Sequence, residues 1–483
     1  MNPPRTVAVI GGGISGLSTA FALTECAEAS RMALRCTVLE AGSQWGGKIV
    51  THKIGDLTTE AGPDSFLSNK PAGMQLVDKL GLTDELINTN DTGKKACVYS
   101  GGRLRELPEG LITITPGQIG PFLKSGLLSP GGVARMALDL ILPAKRSAGD
   151  ESLASFLRRR FGRQAFERVM EPLMAGIYAG DAEQMSMRAT FPRFVELEQA
   201  HGSVLRGLLA AKSARHEADR RGDARRSMFV SLKPGLATLV DALVRRLKAR
   251  GVTLTSGIRV ESLRVRSNQL GRWIYDVMLQ DGSALSVDGL VLATPAFAAA
   301  DLLRPLTPIA AGLLEMIPYA STATIALAYP ASVVGGPVQG FGFVVPRAER
   351  RDVIAATWTS LKWPHRAPPD QFLARCYVGG AGRESILDLE DDALVARVTA
   401  ELRQICGLAS SPTYVEVNRW IQAMPQYVLG HLDRLEQAEV ALSRYGGVVL
   451  TGSAYRGVGI PDCIREGSLA AEKVVRYLSG ERH

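Results

Sequence analysis

The chain has 483 residues, 46% hydrophobic and 22% charged, with a formal net charge of +8 and a pI near 9.2. That length exceeds what one simple core serves, so two or three structural units are expected, and the apolar fraction argues against long disorder. Six scattered cysteines without a C-x-x-C pair, and six dispersed histidines, point to a reducing compartment and no metal site. The basic balance suits anionic lipid or a carboxylate-bearing substrate. Nucleic acid is not expected, because no basic patch carries interleaved aromatics.

Thr6–Ile10 is a short apolar, β-branched run that reads as a buried parallel strand. It ends at Gly11-Gly12-Gly13-Ile14-Ser15-Gly16, and Leu17 to Ala29 reads as a helix. Cys36–Leu39 is a second buried strand, so the chain opens with a βαβ unit of a doubly wound sheet. In this context Gly11 allows the tight turn, Gly13 lets backbone approach a pyrophosphate, and Gly16 lets the helix pack on the strand. Glu40 ends the second strand, where a carboxylate meets ribose hydroxyls and disfavours a 2′-phosphate.

From about Pro71 to Ala224 helical segments alternate with Pro and Gly: Met74–Leu80, Gly132–Ile141, Ser152–Phe161 and Gln164–Met174. Apolar patches at 119–123 and 137–142, with Lys124, Arg135, Lys145 and Arg146 nearby, fit an interfacial membrane surface. Ordinary core helices with solvated charges are the plainer reading. Arg206–Arg226 reads as an exposed helix end and loop.

Strands return at Val252–Leu254, Ile258–Val260, Ile274–Leu279 and Gly289–Thr294. A separate sheet is expected from Thr322–Leu327, Phe341–Val345, Val353–Trp358 and Leu373–Val378. Val448–Gly452, a glycine-rich turn and a helix over Glu466–Leu478 suggest that the tail rejoins the first unit. No run of about 18 apolar residues and no basic n-region with an apolar h-region is found, so a soluble or membrane-surface protein is expected.

Glu40-Ala41-Gly42-Ser43-Gln44-Trp45-Gly46-Gly47-Lys48 resembles the extended signature of the amine oxidase and phytoene desaturase flavoprotein superfamily. Glu60-Ala61-Gly62-Pro63-Asp64-Ser65, the strand around Val260, and Gly452-Ser453-Ala454-Tyr455-Arg456-Gly457-Val458-Gly459-Ile460 resemble its next segments in order. The resemblance implies noncovalent FAD, with Gly47 near the diphosphate, Lys48 adding charge, Val260 at the adenine and Trp420 in the cofactor set. The N–H groups of Val458, Gly459 and Ile460 would face the pyrimidine end of the flavin, stabilising charge on its reduced form. Cys463 would not tether the cofactor.

Four further stretches are similar to protoporphyrinogen oxidases: Met170–Asp181, Pro337–Gly342, Tyr377–Gly380 and Gln426–His431. Nearly the whole chain shares this likeness. It implies oxidation of protoporphyrinogen IX by six electrons, with O₂ as acceptor and H₂O₂ released. Coproporphyrinogen III is the alternative substrate, and a flavin amine oxidase a more distant one. A carotenoid desaturase or a non-catalytic escort relative fits less well. The flavin would take the hydride, so no catalytic side chain is assigned. Gly176, Val344, Thr357 and Tyr377 would line the macrocycle site, and Ala96 stands where many relatives carry a propionate-binding Arg, with Lys94 and Lys95 adjacent.

The expected architecture is α/β: a discontinuous FAD domain (1–75, 225–300, 444–483), an α+β substrate domain (76–90, 301–443) and a helical membrane-binding domain (91–224). A cytoplasmic, peripherally membrane-associated bacterial enzyme is expected, and a homodimer is compatible with it.

Overall fold

The computed structural model describes residues 3–480 apart from 91–95, 109–110, 113–114, 117–119, 146–148, 220–226, 268–270, 334–337 and 339. Five parallel strands form the first sheet, in the order Thr253–Ser256, Leu34–Glu40, Arg5–Ile10, Gly289–Leu292 and Val448–Leu450. Side chains alternate across it, and both faces are covered. Val7, Val9, Val38 and Val291 join a core beneath the helices Ile14–Ala29, Ala237–Ala249 and Ile460–Ser479. Ala8, Ile10, Leu39, Leu290 and Leu292 enter a second core with the helices Ala296–Leu303, Pro308–Glu315 and His431–Ser443. This two-sided burial is why the strands read as continuous apolar runs rather than alternating ones.

The second sheet has seven strands, in the order Tyr414–Pro425, Tyr319–Pro330, Gln371–Gly379, Val353–Trp358, Gly342–Val344, Cys97–Ser100 and Arg103–Glu106. One face is apolar: Ile325, Leu327, Phe343, Ala356, Trp358, Ala374, Cys376 and Val378 pack with Leu394, Val398 and Leu402 of the helix Asp391–Cys406. The alternate residues of the same strands face the other way, toward the first sheet's loops.

Several boundaries differ from the sequence reading. Cys97–Ser100 and Arg103–Glu106, placed in the helical part on sequence, extend the seven-stranded sheet, through a parallel pairing of Cys97 with Phe343. Leu86–Asn88 pairs with Phe229–Leu232 in a small sheet that also holds Phe66–Leu67. The segment expected as one helix over Gln164–Met174 is Arg163–Ala165, a π-helical turn Phe166–Met170 and then Glu171–Tyr178. The last helix starts at Ile460 rather than Glu466, because Pro461 occupies the first turn, where its missing N–H costs nothing.

The helical part has a core of its own, including Phe122, Leu153, Phe156, Leu157, Phe161, Phe166 and Met170. Beside it Arg160, fully buried, pairs with buried Asp139 and with Glu198. Asp139 also accepts from the Ser203 hydroxyl at 2.6 Å and the Leu205 N–H at 2.8 Å, so the buried charge is fully hydrogen-bonded.

Candidate cofactor and substrate site

The site begins where the first strand ends. Gly11 has φ +111°, and a Cβ there would stand 2.7 Å from the Ala293 carbonyl oxygen. Gly16 lies so close to the turn that a Cβ would come within 1.8 Å of the Gly11 oxygen. Gly13 differs in kind. A Cβ on it would meet only the Cα of Gly47, at 4.0 Å, and otherwise open space. It caps the helix Ile14–Ala29 with no side-chain hydrogen bond, so the helix start presents N–H groups to that space.

The second glycine loop closes on the first. Gly46 donates its N–H to the Gly12 carbonyl at 2.9 Å, and Gly47 adopts φ +59° beside Gly13. Trp45 lies over Gly12, leaving no room for a side chain there. Glu40 braces both loops, accepting from the Gly12 N–H at 2.6 Å and the Gly42 N–H at 2.7 Å. Ala41 beside it is exposed, and the Ile258 N–H bonds the Glu40 carbonyl at 3.0 Å, which brings the strand starting at Val260 to this end.

Lys48 does not stand free beside the glycine loops. Its ammonium donates to the Ala423 carbonyl of the second sheet, and burial lowers its pKa. Gly62 must be glycine, because a Cβ there would lie 1.7 Å from the Lys48 carbonyl oxygen. The neighbouring Ala61 carbonyl accepts from the Trp420 indole at 2.9 Å, the Thr324 hydroxyl at 2.9 Å and the Arg375 guanidinium at 3.0 Å. The segment Glu60–Ser65 is thus tied to the second sheet's inward face.

Asp64 was expected in the cofactor set, and its charge is already paired. Its carboxylate accepts from Lys362 at 2.9 Å, from the Trp363 indole at 3.2 Å and from the Ser65 hydroxyl at 2.7 Å. Burial alone would raise its pKa, but Lys362 and Arg375 outweigh burial and hold it well below the usual carboxylate range. Glu60, its neighbour, is held by Arg366 at 3.0 Å, the Thr51 hydroxyl at 2.6 Å and the Leu236 N–H at 2.9 Å. A small cavity lies among Glu60, Asp64, Trp363, Arg366 and Arg375.

At the far end of the chain the helix Ile460–Ser479 begins with Gly459 as its cap, again without a capping side chain. It packs along Ile14–Ala29 so closely that a Cβ on Gly467 would stand 2.8 Å from the Ser18 hydroxyl. Two glycine-capped helix starts, with Val458, Gly459 and Ile460 at one of them, therefore belong to one packed pair. Cys463, in the first turn of the second, is buried and its thiol is pushed up to about 11 by desolvation. It is a neutral thiol at pH 7. All six cysteines are unpaired.

The expected macrocycle positions come together on the inward face of the second sheet. Val344 pairs with Ala355, Ala355 with Tyr377 and Thr357 with Arg375, placing these side chains on the face opposite the apolar core. Gly176, exposed on the helix Glu171–Tyr178, faces Val344: a Cβ on it would lie 3.6 Å from the valine Cγ1. The Arg375 guanidinium covers the Tyr377 ring at 5.0 Å. Ala96 packs against the helical core and offers no charge. Lys94 and Lys95 lie outside the described residues. Arg375, Thr324 and Arg366 were missed on sequence, although Arg375 is a lone cation within a continuous apolar strand, where a charge needs a buried partner.

The open space at Gly13, the helix start there with no capping side chain and the glycine loop that closes on it fit a dinucleotide's diphosphate, which takes N–H donors and positive dipole ends. Residues 14–475 match the family model of flavin containing amine oxidoreductases. The chain belongs to that family. It is a flavin-dependent oxidoreductase. Within the family it groups with porphyrinogen oxidases: it is 38% identical over 475 residues to coproporphyrinogen III oxidase of Bacillus subtilis, covering 98% of each chain. It is 33% identical over 491 residues to chloroplastic protoporphyrinogen oxidase 1 of Spinacia oleracea, covering 98% of this chain and 84% of the relative. A crystal structure of a protein from Exiguobacterium sp. superposes with a TM-score of 0.84 at 30% identity, over 99% of each chain. The α/β fold with its doubly wound sheet and separate substrate-facing sheet is that of this family.

Proposed function

We propose that the chain uses FAD to oxidise a porphyrinogen to the porphyrin, with O₂ as acceptor and H₂O₂ as by-product. The observation that carries the reading is the surface formed by Gly176, Val344, Thr357 and Tyr377, on the face of the second sheet from which Thr324 and Arg375 reach the Ala61 carbonyl. Gly11–Gly16, Glu40, Ala41, Gly47, Gly62, Pro63, Val260 and Trp420 hold or shape the cofactor site. Asp64, Ser65 and Lys48 act one layer out, by fixing the loops to the second sheet.

FAD held at these glycine loops would supply the hydride acceptor for the macrocycle, with O₂ as the final oxidant. The chain's own part is orientation and exclusion of water. Gly176, exposed beside Val344, adds no side chain to this surface, and Tyr377, held by Arg375, offers a ring face to a pyrrole. The N–H groups at Val458–Ile460 supply donors where negative charge gathers on reduction.

Of the two porphyrinogens, coproporphyrinogen III is named for the Bacillus relative and is taken as the first substrate to test. Protoporphyrinogen IX, expected from the motifs, is named for the spinach relative and is the second. Exposed Leu123, Leu138 and Ile141 on the helical part favour peripheral contact with a lipid surface. Among the described residues, no helix is long and apolar enough to cross a membrane.

The test is direct. The purified protein should show flavin bands, and each porphyrinogen added in air should give porphyrin fluorescence with stoichiometric peroxide. Flavin bands without turnover on either porphyrinogen would overturn the substrate assignment.

A further inference from the structure

The stretch Gln426–His431 has no role in the chemistry above, yet three parts of the fold meet on it. The Gln426 amide donates to the Tyr178 carbonyl at 3.1 Å, at the end of the helix that carries Gly176. The Tyr427 carbonyl accepts the Ser186 N–H of the helical part at 2.8 Å. The Tyr427 hydroxyl reaches the C-terminal loop, donating to the Ser453 carbonyl at 2.7 Å and accepting the Gly457 N–H at 2.8 Å. Its ring is 2% exposed and stacks on His431, with centroids 4.2 Å apart and planes 16° from parallel. His431, fully buried, donates through Nε2 to the Tyr455 carbonyl at 2.9 Å.

Residues 453, 455 and 457 of the loop are therefore fixed from one neighbouring stretch. The loop needs outside fixing, because Gly452 at φ +136° and Gly457 at φ +139° leave its backbone without conformational restraint of its own. Val458, Gly459 and Ile460 come next in the chain and open the last helix.

We propose that Tyr427 is a positioning residue for the flavin: with His431 behind it, its hydroxyl clamps Ser453 and Gly457 and so aims the N–H groups of Val458, Gly459 and Ile460. The proposal rests on the reading that this loop meets the isoalloxazine. Through Gln426 the same stretch sets the loop relative to the Gly176 helix, so cofactor and substrate walls share one anchor.

The experiment uses the holoenzyme and Tyr427→Phe, which keeps the ring and removes both loop bonds. Flavin binding is measured by fluorescence titration with FAD, and the midpoint potential by dye-coupled reduction. At about a factor of five per hydrogen bond, the loss of two bonds should weaken FAD binding by roughly 25-fold. Its potential should move to more negative values, because the reduced flavin loses aimed donors. Tyr275→Phe is the control. It removes a buried hydroxyl bond of 2.7 Å to the Gly446 carbonyl, and should lower the melting temperature with flavin affinity and potential unchanged. His431→Gln should shift the potential in the same direction by less.

A Tyr427→Phe protein that melts lower, like the control, but keeps wild-type affinity and potential would overturn the proposal alone. A wild-type protein that takes up no FAD would overturn the cofactor reading and the proposal together.

Discussion

Arg366 donates through Nη2 to the Glu60 carboxylate at 3.0 Å, and neither side chain is more than 3% exposed. The same nitrogen reaches the Ser231 hydroxyl at 3.0 Å and the Leu232 carbonyl at 3.2 Å. This pair seats the Glu60–Ser65 segment, whose Ala61 carbonyl gathers donors from the second sheet. Removing one partner leaves a buried charge, which is costlier than the pair is worth. Arg366→Met should cost about 3–5 kcal/mol in urea unfolding. Adding Glu60→Gln should recover part of that loss. A single variant within error of wild type would show that the pair does not carry the segment.

Gly13 and Gly16 separate binding from folding. A methyl on Gly13 meets open space on the protein side, and a methyl on Gly16 meets the Gly11 oxygen at 1.8 Å. Gly13→Val should keep the wild-type melting temperature of the apoprotein and lose FAD. Gly16→Ala should lower that temperature first. Full flavin occupancy in Gly13→Val would remove the diphosphate from this loop.

Gly176→Leu should push a side chain onto the surface beside Val344, where a Cβ alone would already be in contact at 3.6 Å. Porphyrin formation should fall by on the order of a hundredfold or more, the scale of a misplaced substrate. The flavin spectrum should stay as it is, because the change sits on the helix Glu171–Tyr178 and not on the glycine loops. Unchanged turnover would take the macrocycle off this surface.

Stability should depend on pH through His431. Burial holds its pKa down to about 4, against an ordinary value of 6.5. The folded ring stays neutral while the unfolded chain takes a proton below 6.5, so stability is full above that pH and falls toward pH 4. The slope is about 1.4 kcal/mol per pH unit for this one group. His431→Gln should flatten the melting-temperature curve across that window. Parallel curves for the two proteins would show that another group sets the acid limit.

Ile141 is 73% exposed and Leu138 41%. A double change to Asp at these positions should leave the melting temperature within about 2 °C, since exposed sites move stability by less than about 0.5 kcal/mol. Cosedimentation with vesicles containing anionic lipid should drop. Equal sedimentation of both proteins would move the contact elsewhere.

The opening βαβ unit was legible because a two-sided buried strand, a glycine turn and a helix leave a short, ordered signal within about 40 residues. Gly11 and Gly16 each declared a local backbone demand that the fold meets, at the Ala293 carbonyl and at the Gly11 oxygen, and Gly13 opens onto free space. The last helix was misread at its start. Pro461 looks like a breaker in sequence and is a helix opener in context, a distinction that depends on which residue caps. The strands Cys97–Ser100 and Arg103–Glu106 were hidden for a different reason. Cys97–Ser100 pairs with the distant strand Gly342–Val344, Arg103–Glu106 joins the sheet only through Cys97–Ser100, and nothing local marks strands that join so late.

By itself, then, the sequence determined the doubly wound sheet, the glycine loops and the family likeness, because each is written in residues close to one another or in fixed order. Only the tertiary structure decided which charged side chains are already paired within the fold. Lys48 and Asp64 carry charges that sequence assigns to the cofactor, and folding commits them to Ala423 and Lys362. Conversely Arg375, Thr324 and Tyr427 gain their roles from partners far along the chain. A charge near a motif tells what chemistry is available. Burial, which makes an unpaired charge costly, decides where that chemistry goes.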